Sequence, residues 1–132
     1  MDEDIGVGMT MLILDDEKDL CDFSKRFFEK RGFVVHTSLT TKDAINKINK
    51  TKFDIALLDQ HMNNGSGLDV LKALREKQPQ CQCIMLTVED NKEIIANAKK
   101  MGAVEYLFKP SILTDIEKTI NKVVKKIKGN RK

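Results

Sequence analysis

The chain has 132 residues, of which 41% are hydrophobic and 33% are charged, and its formal net charge is +3 at pH 7. This length fits one ordinary domain with a single core, and the charged residues are too frequent for a membrane protein. No apolar run approaches the roughly 20 residues that a membrane span needs, and residues 1–4 are too acidic for a secretory signal, so we expect a cytoplasmic protein.

Apolar runs that predict strands alternate along the chain with stretches of helical periodicity. The predicted strands are residues 9–14, 33–37, 55–58, 83–86 and 104–108. Predicted helices begin near residues 19, 41, 67 and 113, and Ile94, Ile95, Ala98 and Met101 mark a further helix, the fourth in chain order. Gly32 and Gly102 are expected to close the first and fourth helices, and Thr40 or Thr41 to cap the second. We expect residues 1–8 to be a loose leader, residues 9–128 to form one domain, and residues 129–132 to be a basic tail.

The alternation of strands and helices is typical of an α/β fold, here a three-layer sandwich around a five-stranded parallel sheet with five helices. The carboxyl ends of parallel strands share one edge of the sheet, where ligands and chemistry are normally placed. Five polar side chains follow the predicted strands at that edge: Asp15, Asp16, Asp59, Thr87 and Lys109.

Together, these five side chains suit a site that binds a divalent cation and a phosphoryl group. Three carboxylates in one cleft repel one another at neutral pH, and Mg²⁺ would relieve that repulsion because it prefers oxygen ligands. A hydroxyl and an ammonium group beside them suit the oxygens of a phosphoryl group, and a carboxylate can itself be the nucleophile that forms an aspartyl phosphate. Each residue alone also fits an ordinary cap or turn, so the prediction depends on the combination.

The span from Met9 to Ile127 resembles the receiver domain of bacterial two-component response regulators, in the layout of single-domain chemotaxis regulators. The resemblance implies a flavodoxin-like sheet with strand order 2-1-3-4-5. It also implies that Asp59 accepts a phosphoryl group from a histidine kinase or a histidine phosphotransfer protein. The chain would then not be an enzyme, apart from catalysing its own phosphoryl transfer and dephosphorylation.

The resemblance also assigns the ligands and the switch. Asp15, Asp16, Asp59 and the backbone carbonyl of His61 would hold Mg²⁺. Thr87 and Lys109 would contact the phosphoryl oxygens.

Activation would move Thr87 and change the rotamer of Tyr106. These movements would change the surface formed by the fourth helix, fifth strand and fifth helix, which would then bind an unknown output partner. The protein would be a monomer or a phosphorylation-promoted dimer. Phe28 is expected to be a half-buried core residue, with a kinase-docking surface as the alternative.

Two positions depart from the family pattern. Asn63 stands four residues after Asp59, where the family usually has Pro, and Val88 follows the predicted active-site threonine, where the family usually has a small residue. We expect Val88 and Glu89 to modulate the site from its edge. The side chain of His61 is expected at the site mouth, either in a modulating role or solvated.

Other functions are less well supported by the sequence. The serious alternative is that the chain is the receiver portion of a longer regulator with a DNA-binding or enzymatic output domain. An aspartate-nucleophile phosphatase would typically place its acids as Asp-x-Asp after the first strand. In this chain Asp15 and Asp16 are adjacent, and a further acid, Asp59, follows the third predicted strand. We do not expect direct nucleic-acid binding, because the basic excess lies largely in residues 122–132 and does not predict a basic face. Cys81 and Cys83 form a lone C-x-C pair, which does not complete a zinc site.

Overall fold

The computed structural model describes residues 4–63, 65–88, 91–111 and 113–131, and five strands alternate with five helices along them. The elements are β1 (Thr10–Leu14), α1 (Lys18–Glu29), β2 (Val34–Ser38), α2 (Thr41–Ile48), β3 (Ile55–Leu58), α3 (Gly67–Lys77), β4 (Gln82–Thr87), α4 (Lys92–Lys100), β5 (Glu105–Phe108) and α5 (Leu113–Asn130). Within the described part of the chain, no helix is long and apolar enough to cross a membrane.

The five strands form one parallel sheet in the order β2-β1-β3-β4-β5. The predicted fold and strand order are therefore confirmed. Every residue of β3 is buried, as its continuous apolar run predicts for a strand that is covered on both faces. Strands β2 and β5 lie at the two edges of the sheet.

The two faces of the sheet are covered by different helices. On β1, Met11 and Ile13 point toward the side of α1 and α5, and Leu12 and Leu14 point toward the side of α2, α3 and α4. This two-residue alternation divides the buried apolar side chains into two cores, one on each side of the sheet. The resulting three layers hold the strand ends in fixed relative positions.

Local signals in the sequence account for several helix ends. The side chain of Thr40 accepts a hydrogen bond from the backbone N–H of Asp43 at 3.0 Å and caps α2. Gly32 and Gly102 have positive φ angles of 93° and 108° just beyond α1 and α4. Glycine adopts that backbone conformation without the strain that a side chain would cause.

Helix α1 has one buried face and one exposed face. The residues of α1 that are buried are Cys21, Ser24 and Phe28, whereas Phe23 is 57% exposed. Phe28, which was expected to be half-buried in the core or to lie on a docking surface, is fully buried in the core. The ring of Phe28 packs edge-on against Phe27 and Phe33.

Hydrogen bonds and an ion pair join residues near both ends of the described chain to the rest of the domain. The N–H of Gly6 donates to the carbonyl of Arg31 at 2.8 Å, and Lys128 Nζ donates to the carbonyl of Ile5 at 2.8 Å. At the other end of the described chain, α5 continues to Asn130, and the following Arg131 pairs with Asp54. The expected bounds of the leader, the domain and the basic tail remain predictions.

Candidate functional site

The polar residues at the carboxyl ends of the strands do lie together. The ladder of the sheet continues one residue past the central strands, because the N–H of Asp59 donates to the carbonyl of Leu14 at 3.0 Å. At the other side, the N–H of Lys109 donates to the carbonyl of Thr87 at 2.8 Å. These backbone bonds place Asp59 and Lys109 at the same edge of the sheet as Asp15.

Lys109 joins two of the acids. Its Nζ lies 2.7 Å from Asp15 Oδ2 and 3.0 Å from Asp59 Oδ2. Asp15 and Asp59 are only 5% and 6% exposed. Buried carboxylates are costly unless they are paired, and one ammonium group here serves both.

The surroundings shift the pKa values of Asp59 and Lys109. Burial raises the pKa of Asp59, and the nearby Asp15 adds to this effect. Lys109 and the N–H of His61 oppose it without cancelling it. For Lys109, burial acts to lower the pKa, but the hydrogen bonds and charges of Asp15 and Asp59 outweigh burial, so its pKa lies above the usual value. Lys109 is therefore protonated at neutral pH.

The three acids also fit a divalent cation. Asp15, Asp16 and Asp59 each offer a carboxylate oxygen, and these oxygens lie within 4.8 Å of one another. Three carboxylates face the single charge of Lys109, so the site keeps an excess of negative charge. Mg²⁺ is a hard cation that takes oxygen ligands of this kind.

His61 lies beside this cluster. Its N–H donates to Asp59 Oδ1 at 3.1 Å, and the residue itself is exposed. The exposure agrees with a place at the site mouth. A role for its backbone carbonyl as a metal ligand remains a prediction.

Three contacts that support the acids were not foreseen from the sequence. The N–H of Glu17 donates to Asp15 Oδ1 at 3.0 Å, and Cys21 Sγ donates to the Asp15 carbonyl at 3.3 Å. Burial and the charge of Asp15 raise the pKa of Cys21 to about 11, which keeps the thiol protonated as a donor. The third contact joins the N–H of Asn63 to Asp16 Oδ2 at 3.1 Å.

The predicted switch residues lie on β4 and β5. Thr87 is fully buried at the end of β4. Tyr106 is half-buried on β5, pairs with Met85 in the sheet, and has its ring centroid 5.5 Å from that of Phe108. Tyr106 therefore lies at the border between core and surface, where a rotamer change can alter the exposed face.

Of the two residues predicted to modulate the site from its edge, the structure describes only Val88. Val88 is 63% exposed, directly after the buried Thr87. Its side chain is thus at the surface beside the acids. Glu89 lies outside the residues that the structure describes.

A groove of about 640 Å³ opens next to the acids, between α1 and the beginning of α5. Its walls are mostly apolar. They include Leu20, Phe23, Val88, Pro110 and Leu113, and Asp15, Asp59 and Lys109 also border the groove. A partner that fills this groove would contact the acids directly.

The chain is similar to several response regulators. The acid tolerance regulatory protein ActR of Rhizobium meliloti is 35% identical over 112 residues, which cover 85% of this chain and 58% of that protein. The photosynthetic apparatus regulatory protein RegA of Cereibacter sphaeroides is 29% identical over 113 residues, which cover 86% of this chain and 61% of that protein. This chain thus spans about three fifths of the length of these relatives.

Solved structures agree with the sequence comparison. A two-component response regulator from Clostridium difficile is 27% identical with a TM-score of 0.84, and the match covers 90% of this chain and 98% of that one. A response regulator from Burkholderia pseudomallei, solved with a phosphorylated aspartic acid and a calcium ion, is 25% identical with a TM-score of 0.80. That match covers 93% of this chain and 72% of the other.

The family model of the response regulator receiver domain matches residues 11–121. The matched segment begins in β1 and ends in α5, so it includes all five strands and the cluster of acids at their carboxyl ends. This chain belongs to the response regulator receiver domain family of two-component signalling.

Proposed function

We propose that this protein is a phosphorylation-activated receiver in which Asp59 accepts a phosphoryl group from the phosphohistidine of a kinase or phosphotransfer protein. The observation that carries the proposal is the buried Asp59 carboxylate, which is joined through Lys109 to Asp15 and lies within ligand distance of Asp16. A cytoplasmic location remains a prediction.

The transfer can be written from the residues at the site. A carboxylate oxygen of Asp59 bonds to phosphorus as the P–N bond of the phosphohistidine breaks, and the imidazole leaves with its electron pair and is protonated by solvent. Lys109 Nζ, 3.0 Å from Asp59 Oδ2, is placed to hydrogen-bond a phosphoryl oxygen. Thr87 supplies a hydroxyl group at the end of β4. Mg²⁺, held by Asp15, Asp16 and Asp59, would neutralise charge on the phosphoryl oxygens.

The kinase-facing surface is proposed to lie on α1. Phe23 is exposed beside the acids, and it lines the apolar groove together with Leu20 and Leu113. Burial of an exposed aromatic side chain contributes strongly to protein association. Phe23 therefore takes the docking role that the sequence alone left open for Phe28.

The output surface is proposed to lie on α4, β5 and α5. A phosphoryl group adds about 1.5 to 2 negative charges, which would draw Thr87 toward Asp59 and let Tyr106 change its rotamer. Val104 and Phe108 lie two residues before and after Tyr106 in the chain, and they are 36% and 46% exposed. An output partner or a second copy of this chain could bury these side chains.

The second candidate is that the chain is the receiver portion of a longer regulator. The relatives ActR and RegA are longer than the segment that they share with this chain. An aspartate-nucleophile phosphatase is less favoured, because the first two acids are adjacent and the third follows β3.

Incubation with acetyl phosphate and Mg²⁺, followed by intact mass measurement, tests the proposal. We expect one added phosphoryl group on the wild type and on Asp69→Asn, a matched control at an exposed position of α3. We expect none on Asp59→Asn or in the presence of a chelator. A mass gain that survives either change would overturn the assignment.

A further inference from the structure

The loop between β3 and α3 contacts two of the three acids through its backbone. The N–H of His61 donates to Asp59 Oδ1 at 3.1 Å, and the N–H of Asn63 donates to Asp16 Oδ2 at 3.1 Å. Two backbone amides of one loop thus donate to two different carboxylates. The contact of Asn63 joins segments that are 47 residues apart in the chain.

The framework of the protein fixes the base of this loop. His61 and Ser66 form an antiparallel bridge, and the N–H of Gly67 donates to the carbonyl of Gln60 at 3.2 Å. Gly65, with a φ angle of 108°, lies so close to Thr41 that an added Cβ would be 2.7 Å from Thr41 Oγ1. Gly65 is therefore packed against Thr41 at the beginning of α2.

Asp16 is supported differently from the other two acids. Asp15 and Asp59 are buried and paired with Lys109, whereas Asp16 is only partly buried. A partly exposed aspartate loses side-chain freedom when it binds a cation. A backbone amide that already holds one carboxylate oxygen reduces that loss, since outer hydrogen bonds orient metal ligands.

We propose that the backbone N–H of Asn63 is a positioning group of the metal site, which orients Asp16 for the cation and links the β3–α3 loop to cation binding. The proposal rests on the Mg²⁺ site of the proposed function. Position 63 can serve in this way because any residue except proline has an N–H to donate. Asn63 occupies the position where the sequence departs from the family pattern. Because linkage is reciprocal, bound Mg²⁺ should also stabilise the hydrogen bond between the Asn63 amide and Asp16.

Two variants separate the backbone amide from the side chain. Asn63→Ala keeps the N–H and removes only the side chain, and Asn63→Pro removes the N–H. We expect Asn63→Ala to bind Mg²⁺ like the wild type in calorimetric titration, and Asn63→Pro to bind about tenfold more weakly. Equal affinities of the two variants would overturn the proposal. Thermal unfolding followed by circular dichroism checks that Asn63→Pro is folded.

A second measurement needs no metal and no proline. In the metal-free protein, the Asn63 amide should exchange its hydrogen several-fold faster in Asp16→Ala than in the wild type, as followed by NMR. The His61 amide, which donates to Asp59, is the internal control and should be unchanged. Equal exchange of the Asn63 amide in both proteins would overturn the proposal. If the wild type bound no Mg²⁺, the metal part of the proposed function would fail, and this exchange experiment would still decide whether the amide holds Asp16.

Discussion

Lys109 and Asp59 form an ion pair in which Nζ and Oδ2 are 3.0 Å apart and the two side chains are only 18% and 8% exposed. The same Nζ lies 2.7 Å from Asp15 Oδ2. The ammonium group therefore occupies the space between the proposed acceptor and a proposed metal ligand. It stabilises the negative charge that the acids accumulate, and it also opposes any cation that binds there.

Lys109→Met should consequently tighten the binding of Mg²⁺. Repulsion between two unit charges about 4 Å apart is about 4 kcal/mol at an effective dielectric of 20. If the substitution removes about 1.4 kcal/mol of this repulsion between the ammonium group and the cation, Mg²⁺ should bind about tenfold more tightly. The same variant should accept phosphoryl groups more slowly, because the phosphoryl oxygens lose a charged donor.

Calorimetric titration and a phosphorylation time course measure the two effects of Lys109→Met. Lys100→Met, at the exposed end of α4, is the control and should change neither. Weaker Mg²⁺ binding in Lys109→Met would contradict the electrostatic account.

Asp59→Asn should make the protein more stable to urea at pH 7. Burial raises the pKa of the folded-state carboxyl above its ordinary value of 3.8. Below that value both the folded and unfolded states carry a protonated carboxyl, so the buried charge costs nothing. As the pH rises through the raised pKa, the folded state must ionise a desolvated group, and the contribution of Asp59 to stability is lost.

The free energy of unfolding of Asp59→Asn should therefore equal that of the wild type at low pH. The difference in favour of the variant should grow as the pH rises past 3.8 and then level off. Urea unfolding at a series of pH values measures it, with Asp69→Asn as the control. A stability difference that does not depend on pH would show that ionisation of Asp59 is not its cause.

A phosphoryl mimic should change the surface formed by α4, β5 and α5. With beryllium fluoride and Mg²⁺, we expect amide NMR shifts to move from Thr87 through Ile112, because Thr87 and Tyr106 have to rearrange around the new group. The amides of α2, on the other face of the sheet from α5, provide the control. Unmoved shifts in the first segment would rule out the switch.

Val88→Ala should shorten the lifetime of the phosphorylated form by a factor of several. Hydrolysis needs a water in line with the leaving carboxylate oxygen, and Val88 is a stiff branched side chain that lies exposed beside the buried Thr87. The companion variant His61→Ala measures whether the imidazole orients that water instead. A lifetime in Val88→Ala that is unchanged or longer, with saturating Mg²⁺, would exclude the steric explanation.

The fold could be predicted because short apolar runs mark most of the strands and helical periodicity marks the segments between them. Asp59 and Lys109 are brought together simply because parallel strands share a carboxyl edge. The cap at Thr40 and the glycine at position 32 likewise follow from local chemistry.

The inward face of α1 could not be predicted in the same way. At 3.6 residues per turn, Phe23 and Phe28 lie on different sides of the helix, and the packing against β1 and α5 leaves Phe28 buried and Phe23 exposed. Position along the sequence does not contain that information. The hydrogen bond from Gly6 to the carbonyl of Arg31 was missed for a similar reason, because it depends on where α1 ends.

The contacts that orient the acids were also missed. They are made by the backbone amides of Glu17, His61 and Asn63, whose residue types give no sign of the role. Only the absence of proline at position 63 could have suggested that an N–H was available there.

The central claim is that Asp59 is the phosphoryl acceptor, and chemical trapping tests it most directly. Borohydride reduces an acyl phosphate to an alcohol, so a phosphorylated aspartate is converted to homoserine, which peptide mass mapping can locate. After reaction with acetyl phosphate and Mg²⁺, we predict homoserine at position 59 and an unmodified Asp15 and Asp16. Homoserine at position 15 or 16, or none at position 59 in protein that has gained a phosphoryl group, would contradict the account.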